Sequence, residues 1–344
     1  MRAIVHIGAP KAGSTAIQSN IRDNRQELSD QGFFCYWPSR GPNDRALSER
    51  FEAAKGPRPP QVQHAFEKIP DPVSWSNACW RELAEQVARS DHDFAIISSE
   101  HFFNTPDPNG LLDALSGIFD DLTLVVYLRD PVEQYNSHLN QLIRGGARFR
   151  NLKTPVAYQY YAYSHLPAML EKIGSEKVVA RNFSRKHLKN GDVADDFFDV
   201  VSSIADRPVS VSQKAARVNE SLCGAATVWL MAQNESFSVQ APKHLELRRQ
   251  VIRRLREDLA LKDLPPLKLE DPAMAAILRW NAREACQWYN DTLLGSDSLL
   301  ALETAAPDVP DYREAREQMR AWMFSYLSQD ALEKVLRAAV PVTG

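Results

Sequence analysis

The sequence predicts a doubly wound parallel α/β sheet flanked by helices, followed by a mostly helical C-terminal region. Three observations carry that expectation. Short apolar runs alternate with helix-period segments up to about residue 205, the signature of βαβ units. The runs are near-continuously apolar, as in parallel strands covered on both faces. From about residue 215 the strand signal fades and helix-spaced sets replace it: Leu222, Ala226, Leu230; Leu245, Val251, Leu255; Ile277, Trp280, Cys286; Met319, Met323, Leu327.

Ile4 to Ile7 is the first strand, and Ser14 to Ser29 is a helix closed by Gly32, with Ile17 and Ile21 four apart. Phe33 to Trp37 is a strand. Residues 38–73 carry Pro38, Pro42, Pro57, Pro59, Pro60, Pro70 and Pro72 and few periodic apolar positions, which suits a lid, a substrate loop or an insertion. Ser74 is the expected N-cap of a helix bearing Trp75, Cys79, Leu83 and Val87. Phe94 to Glu100 is a buried strand that ends in polar groups, and Leu111, Leu112, Leu115 and Ile118 mark the next helix. Leu122 to Leu128, the most hydrophobic strand, is expected centrally in the sheet. Asp130, Pro131 and Glu133 form a helix start. A basic loop, Arg144 to Arg150, precedes a helix within 155–173. A strand at Lys177 to Arg181 and a helix after Asp192 complete this part. Trp229, Trp280, Trp288 and Trp322 are core anchors of the helical region. The expected division is a core at 1–210, with 38–73 as insertion or lid, and a helical region at 211–344.

Composition excludes several classes. Hydrophobic content of 44% and charged content of 25% are ordinary globular values, and a net charge of −3 does not suit a general nucleic-acid binder. Cys35, Cys79, Cys223 and Cys286 are scattered without a C-x-x-C pair, which argues against a zinc site or a disulfide framework. With a strand starting at residue 2 and no run of 18 apolar residues, a cytoplasmic protein without a transmembrane segment is expected. Oligomeric state leaves no mark in the sequence.

The chemistry concentrates at strand ends, where parallel sheets bind ligands. Gly8 to Thr15 has the spacing of a P-loop, G-x-x-x-x-G-K-[ST], with Ser14 at the lysine position and Lys11 three places earlier. Strand, glycine loop and helix together present backbone N–H groups and a helix N-terminus to an anion. Ser98-Ser99-Glu100-His101, Arg129-Asp130 and Arg181 are the other polar strand ends. Arg129 can bind a second phosphate bidentately, and Ser137, eight residues on, can add its hydroxyl.

Pro10-Lys11-Ala12-Gly13-Ser14-Thr15 resembles the 5′-phosphosulfate loop of the sulfotransferases that use 3′-phosphoadenosine-5′-phosphosulfate (PAPS). Val125 to His138, with Arg129 followed by Ser137, resembles their 3′-phosphate motif. Residues 178–183 and 191–198 add a looser likeness. The resemblance covers 2–30, 94–143 and 177–201, and leaves out the Pro-rich segment and the helical region. It implies PAPS as sulfuryl donor, adenosine 3′,5′-bisphosphate as product and no metal. The glycine-lysine element that closes over the 3′-phosphate in the family is not evident, and Lys214 and Arg217 are its stand-ins.

In this light the displaced lysine has a chemical reason. Sulfuryl transfer moves a neutral SO₃-like unit, so no γ-phosphate needs a Walker lysine, and Lys11 would meet charge developing on the leaving phosphate. Ser14, Thr15 and the loop N–H groups would hold the 5′-phosphate. The acceptor needs a base, and the family uses His or Glu. Glu100 and His101 are both candidates; on a strand neighbours face opposite ways, so one of them faces the acceptor. Glu100, nearer the ordered end of the strand, is slightly preferred. The acceptor carries a hydroxyl, less readily an amine. The Pro-rich segment, the Tyr158, Tyr160, Tyr161, Tyr163 cluster and the Arg144–Arg150 loop are candidate acceptor walls, with a glycan mildly favoured over a small molecule, a lipid or a peptide. Two alternatives remain: a P-loop kinase or NTPase, against which the missing Walker lysine and Walker-B aspartate speak, and a non-catalytic nucleotide-binding module.

Overall fold

The computed structural model describes residues 1–39, 41–52, 66, 69–161, 164–213, 222–236 and 242–339. In chain order the first elements are β1 (Arg2–Gly8), α1 (Ser14–Asp23), α2 (Arg25–Asp30), β2 (Phe33–Cys35), α3 (Glu49–Glu52), α4 (Pro72–Ala88), β3 (Phe94–Ser98), α5 (Pro108–Ser116) and β4 (Asp121–Leu128). They continue with α6 (Pro131–Arg144), α7 (Leu166–Ile173), β5 (Val178–Asn182), α8 (Val193–Ala205), α9 (Gly224–Gln233), α10 (Pro242–Glu257) and α11 (Leu259–Lys262). The last three are α12 (Pro272–Thr292), α13 (Tyr312–Phe324) and α14 (Gln329–Ala339). No helix among the described residues is long and apolar enough to cross a membrane.

The five strands form one all-parallel sheet in the order β2-β3-β1-β4-β5, flanked by helices, as the alternating pattern predicts. β4 is an interior strand, but the middle place belongs to β1, between β3 and β4. From β1 the chain steps to one side for β2, and from β3 it crosses to the other side for β4. Right-handed crossovers in opposite directions put their helices on opposite faces. Alternation along β1 divides its side chains accordingly: Ile4 joins a core with Ile17 and Ile21 of α1, Leu28 of α2 and Phe197 and Val201 of α8. α5 packs on β4 and against α7.

The chain groups into two compact units, interleaved along the sequence where one boundary near 210 was expected. The first holds Met1–Asp130, Tyr161–Val218 and Gln287–Leu300, and the second Pro131–Tyr160, Asn219–Cys286 and Ala301–Gly344. The sheet lies in the first. In the second, Val132, Tyr135, Leu139 and Ile143, spaced to share one face of α6, meet Val228 and Met231, Leu278, Met319 and Val335. The last carbonyls of α6 are taken by side chains: Arg248 donates to Ile143 O (2.5 Å) and Arg144 O (3.0 Å), and Asn234 Nδ2 to Ile143 O (3.0 Å). Trp229 and Trp322 pack against this core as expected.

Four local expectations change. The helix after the loop breaks at Asn24, whose side chain donates to Asn20 O (2.8 Å) and Gln213 O (2.8 Å) and accepts from Gln213 N (3.0 Å). A side chain that serves the backbone in this way competes with helix continuation. The N-cap of α4 is Asp71, not Ser74: Asp71 Oδ1 accepts from Val73 N and Ser74 N (both 3.1 Å), with Pro72 in the first turn. The β2 strand stops at Cys35. In place of one helix within 155–173 there is a 3₁₀ turn, Pro155–Ala157, and then α7, which starts beside Pro167.

His6 is fully buried on β1, edge-on to Tyr127 and Phe197, with Nδ1 2.8 Å from Ser98 Oγ. Burial pushes its imidazole from 6.5 down to about 3. Below pH 6.5 the unfolded chain binds a proton that the folded chain refuses, so stability falls as pH drops toward 3. We expect His6 to cost about 2 kcal/mol at pH 5 relative to pH 8. Urea midpoints at both pH values should show a steeper loss for wild type than for His6→Asn. Equal slopes would contradict this.

Candidate functional site

The sheet order explains why one set of strand ends comes together. β1 ends between β3 and β4, so the residues after all three strands are neighbours, at the point where the crossover direction reverses. Two backbone bonds extend the ladders there: Ser99 N to His6 O (3.0 Å) and Ala9 N to Tyr127 O (3.0 Å). Gly8, at φ 113°, sits where a Cβ would lie 3.3 Å from the Cα and carbonyl of Glu100. Glycine is therefore required both by conformation and by the close approach. The start of the Glu100–Asn104 3₁₀ turn is thus brought against the first residue of the loop.

The loop then turns through two left-handed residues, Lys11 at φ 67° and Gly13 at φ 84°. For a lysine that conformation costs on the order of 1–2 kcal/mol, so something must hold it. Arg129 does: its Nη1 donates to the Lys11 carbonyl at 2.8 Å, across from the end of β4. The same guanidinium lies 5.3 Å over the Phe183 ring, against which Gly13 also packs, with a Cβ there meeting Phe183 at 2.8 Å and Val193 at 2.9 Å. Arg129 N donates to Tyr161 Oη (3.3 Å), and Tyr161 leans edge-on on Phe103 at 5.0 Å.

Gly13 brings no side chain to cap α1, and the first turn carries no acidic residue. The helix N-terminus therefore keeps its free N–H groups and positive dipole end without a side-chain cap. Ser14 stands at that end, 3% exposed, with its Oγ buried and without a partner among the described residues. A buried hydroxyl normally finds a partner, so an oxyanion at this helix end would satisfy it. Lys11 and Pro10 are half-buried, Ala12 is buried and Thr15 is exposed. This is a fit for a phosphate-bearing ligand, carried by the chain's own donors. Among the described residues, no group of three or more His, Cys, Asp or Glu is placed to hold a metal ion.

Two strand-end residues have prior commitments. Arg181 grips the fully buried Asp196 bidentately (Nη2 to Oδ1 2.6 Å, Nε to Oδ2 3.0 Å), and Asp196 also accepts from Tyr127 Oη (2.9 Å) and Lys189 N (2.9 Å). The hydrogen bond to Asp196 raises the Arg181 guanidinium further. Arg181 thus anchors α8 to the sheet. At the end of β5, Asn182 Nδ2 donates to Ser298 O and Leu299 O (3.0 Å each), so this strand end is tied to the 296–300 segment.

Glu100 is half-buried beside Gly8. His101 points its Nε2 to Asp44 Oδ2 at 3.4 Å. Asp44 belongs to a 3₁₀ turn, Asn43–Arg45, within the Pro-rich stretch, and its proximity to the strand end had no signal in the sequence beyond being an acid in an aperiodic segment. Ser137 lies half-buried on α6, in the second unit. Lys214, Arg217 and Tyr163 fall outside the described residues. Of the expected acceptor walls, Tyr158 and Tyr160 are buried, Tyr158 edge-on to Tyr135 at 5.0 Å. Arg144 donates to Asn140 O (3.3 Å) and Arg148 to Asn234 O (3.0 Å), which leaves Arg150 as the exposed arginine of that loop.

No family model matches the chain, and no curated protein matches it.

Ser14→Ala tests the loop directly. Removing a hydroxyl that pairs with none of the described residues should leave the urea midpoint unchanged or slightly raised, while weakening adenosine 3′,5′-bisphosphate binding by about tenfold in calorimetry. Destabilisation with unchanged affinity would make Ser14 a packing residue.

Proposed function

We propose that the chain is a sulfotransferase that moves a sulfuryl group from PAPS to a hydroxyl of its acceptor. The observation that carries the reading is the displaced lysine. Lys11 is held in the loop by Arg129, and the position where an NTPase carries its phosphate lysine is the buried Ser14, whose hydroxyl meets no partner among the described residues. A loop built this way keeps the anion cradle and moves the charge to another side, which suits a donor without a γ-phosphate.

PAPS supplies the SO₃ unit and leaves as adenosine 3′,5′-bisphosphate. On the protein's side, the α1 N-terminus, Ser14 and Thr15 receive the 5′-phosphate, and Lys11 neutralises charge that grows on the leaving oxygen. Arg129 fixes the loop carbonyl through Nη1 and, in this reading, also binds the 3′-phosphate through its guanidinium. Ser137, which lies in the second unit, is assigned no contact in this reading. Glu100 or His101 takes the acceptor proton. Arg181, bound to Asp196, has no ligand role in this reading. With Tyr158 and Tyr160 buried and Arg144 and Arg148 tied to backbone carbonyls, the reading of the acceptor stops at a hydroxyl compound.

Calorimetry with adenosine 3′,5′-bisphosphate and with ATP, each with and without Mg²⁺, separates this reading from an NTPase. Tight bisphosphate binding without Mg²⁺ is expected; ATP binding only with Mg²⁺, and none of bisphosphate, would overturn it. Two variants should then part company. Lys11→Ala should cut transfer about a hundredfold and leave bisphosphate affinity within about threefold. Arg129→Ala should weaken bisphosphate binding by about 10- to 100-fold, since it removes charge-assisted bonds and the loop's clamp together. Unchanged binding in Arg129→Ala would remove that residue from the site.

A further inference from the structure

The stretch between β2 and α4 reads as an insertion, yet part of it is fastened at several points beside the end of β3. Ser76 Oγ donates to Ala46 O (2.7 Å), Trp80 Nε1 to Leu47 O (2.9 Å), and Arg45 pairs with the fully buried Glu49 (3.5 Å). Ser99 ties this stretch to the strand end in both directions: its Oγ donates to the Asp44 carbonyl (2.6 Å) and accepts from His101 N (3.3 Å). One hydroxyl thus fixes the backbones of Asp44 and His101 relative to each other. Their side chains then meet at 3.4 Å, with 19% of His101 and 41% of Asp44 exposed.

We propose that Asp44 is a positioning residue that orients the His101 imidazole, so that Nδ1 of His101 is the atom that accepts the acceptor's proton. The reaction in this statement rests on the sulfotransferase reading; the pair itself does not. A carboxylate only accepts hydrogen bonds, so the Nε2 that faces it carries the hydrogen, and the lone pair of the neutral ring falls on Nδ1. A histidine whose tautomer and orientation are fixed by a carboxylate is better prepared as a base than a neighbouring glutamate with no such partner among the described residues. Burial alone would raise the Asp44 carboxyl, but the hydrogen bond and charge of His101 outweigh it and hold Asp44 below its ordinary range, ionised at neutral pH. The step balances simply: the acceptor O–H bond breaks, its proton goes to Nδ1, and the oxygen takes the sulfuryl group as the phosphate oxygen leaves.

The elements packed against the His101 turn include β1 and the 43–45 turn, and Tyr161 and His165 reach its Phe103. They bring His6, uncharged at neutral pH, Asp44, and Arg45, which is paired with Glu49; Glu100 adjoins His101 in sequence. Asp44 is therefore the charge that a single substitution can remove while the other groups stay in place.

Long-range ¹H–¹⁵N spectra of the whole protein, with the His101 signal assigned through His101→Gln, read the tautomer without any donor or acceptor. The Nε2–H form is expected in wild type, with the preference for it reduced in Asp44→Asn. An Nδ1–H form in wild type, or the same tautomer ratio in the two proteins, would overturn the proposal, and the wild-type spectrum decides even where the variant fails to fold. In the transfer assay Asp44→Asn should lower kcat about tenfold with the KM for PAPS and bisphosphate affinity unchanged. A raised KM with unchanged kcat would assign Asp44 to binding and also overturn it. If the spectra behave as expected and PAPS does not bind, the sulfotransferase reading falls and the oriented histidine stands.

Discussion

The place of β1 in the sheet is the constraint on which the site depends. Because the chain winds to one side for β2 and returns to the other for β4, β1 is enclosed by β3 and β4, and the crevice opens where its own chain leaves the sheet. Gly8, Glu100 and Arg129 are distant in sequence and meet for that reason alone. The apolar residues of β1 and β4 that force this burial, among them Ile4, Val5, Leu124 and Val126, do no chemistry, but they set the positions of the residues that do.

Within that frame Arg129 links conformation to ligand. A lysine at φ 67° is unfavourable unless its surroundings over-determine it, and the Arg129 bond to the Lys11 carbonyl, with Phe183 close to both the guanidinium and Gly13, supplies the determination. The loop therefore depends on the residue that is also proposed to bind the second phosphate. Preorganisation of this kind leaves little reorganisation for the moment of binding, which is where electrostatic sites gain their strength.

Much of this was legible in the sequence, and the rest was hidden for physical reasons. Near-continuous apolar runs marked the interior strands β1, β3 and β4, because strands buried on both faces admit little else, and shorter apolar runs marked the edge strands β2 and β5. The glycine loop and Arg129 stood out because their residue types are rarely interchangeable at such spacings. Asp44 left no trace: its role comes from Ser99, Ser76 and Trp80 holding an aperiodic stretch in place, contacts between segments that no local pattern encodes. Asn24 looked like one more helical residue, and only its bonds to Gln213, far along the chain, show why the helix breaks there. Arg181 resembled a strand-end ligand until its partner was seen, since Asp196 lies on the next helix and reads equally well as a solvent-facing acid. Tyr158 and Tyr161 are three apart in sequence, but the first is buried in one compact unit and the second reaches Arg129 in the other.

The most direct measurement is a crystal structure of the protein with adenosine 3′,5′-bisphosphate bound. The account predicts its 5′-phosphate on the Ser14 end of α1, within reach of Lys11, and its 3′-phosphate toward Arg129. Bisphosphate bound elsewhere, with the Gly8–Thr15 loop free of phosphate, would contradict it.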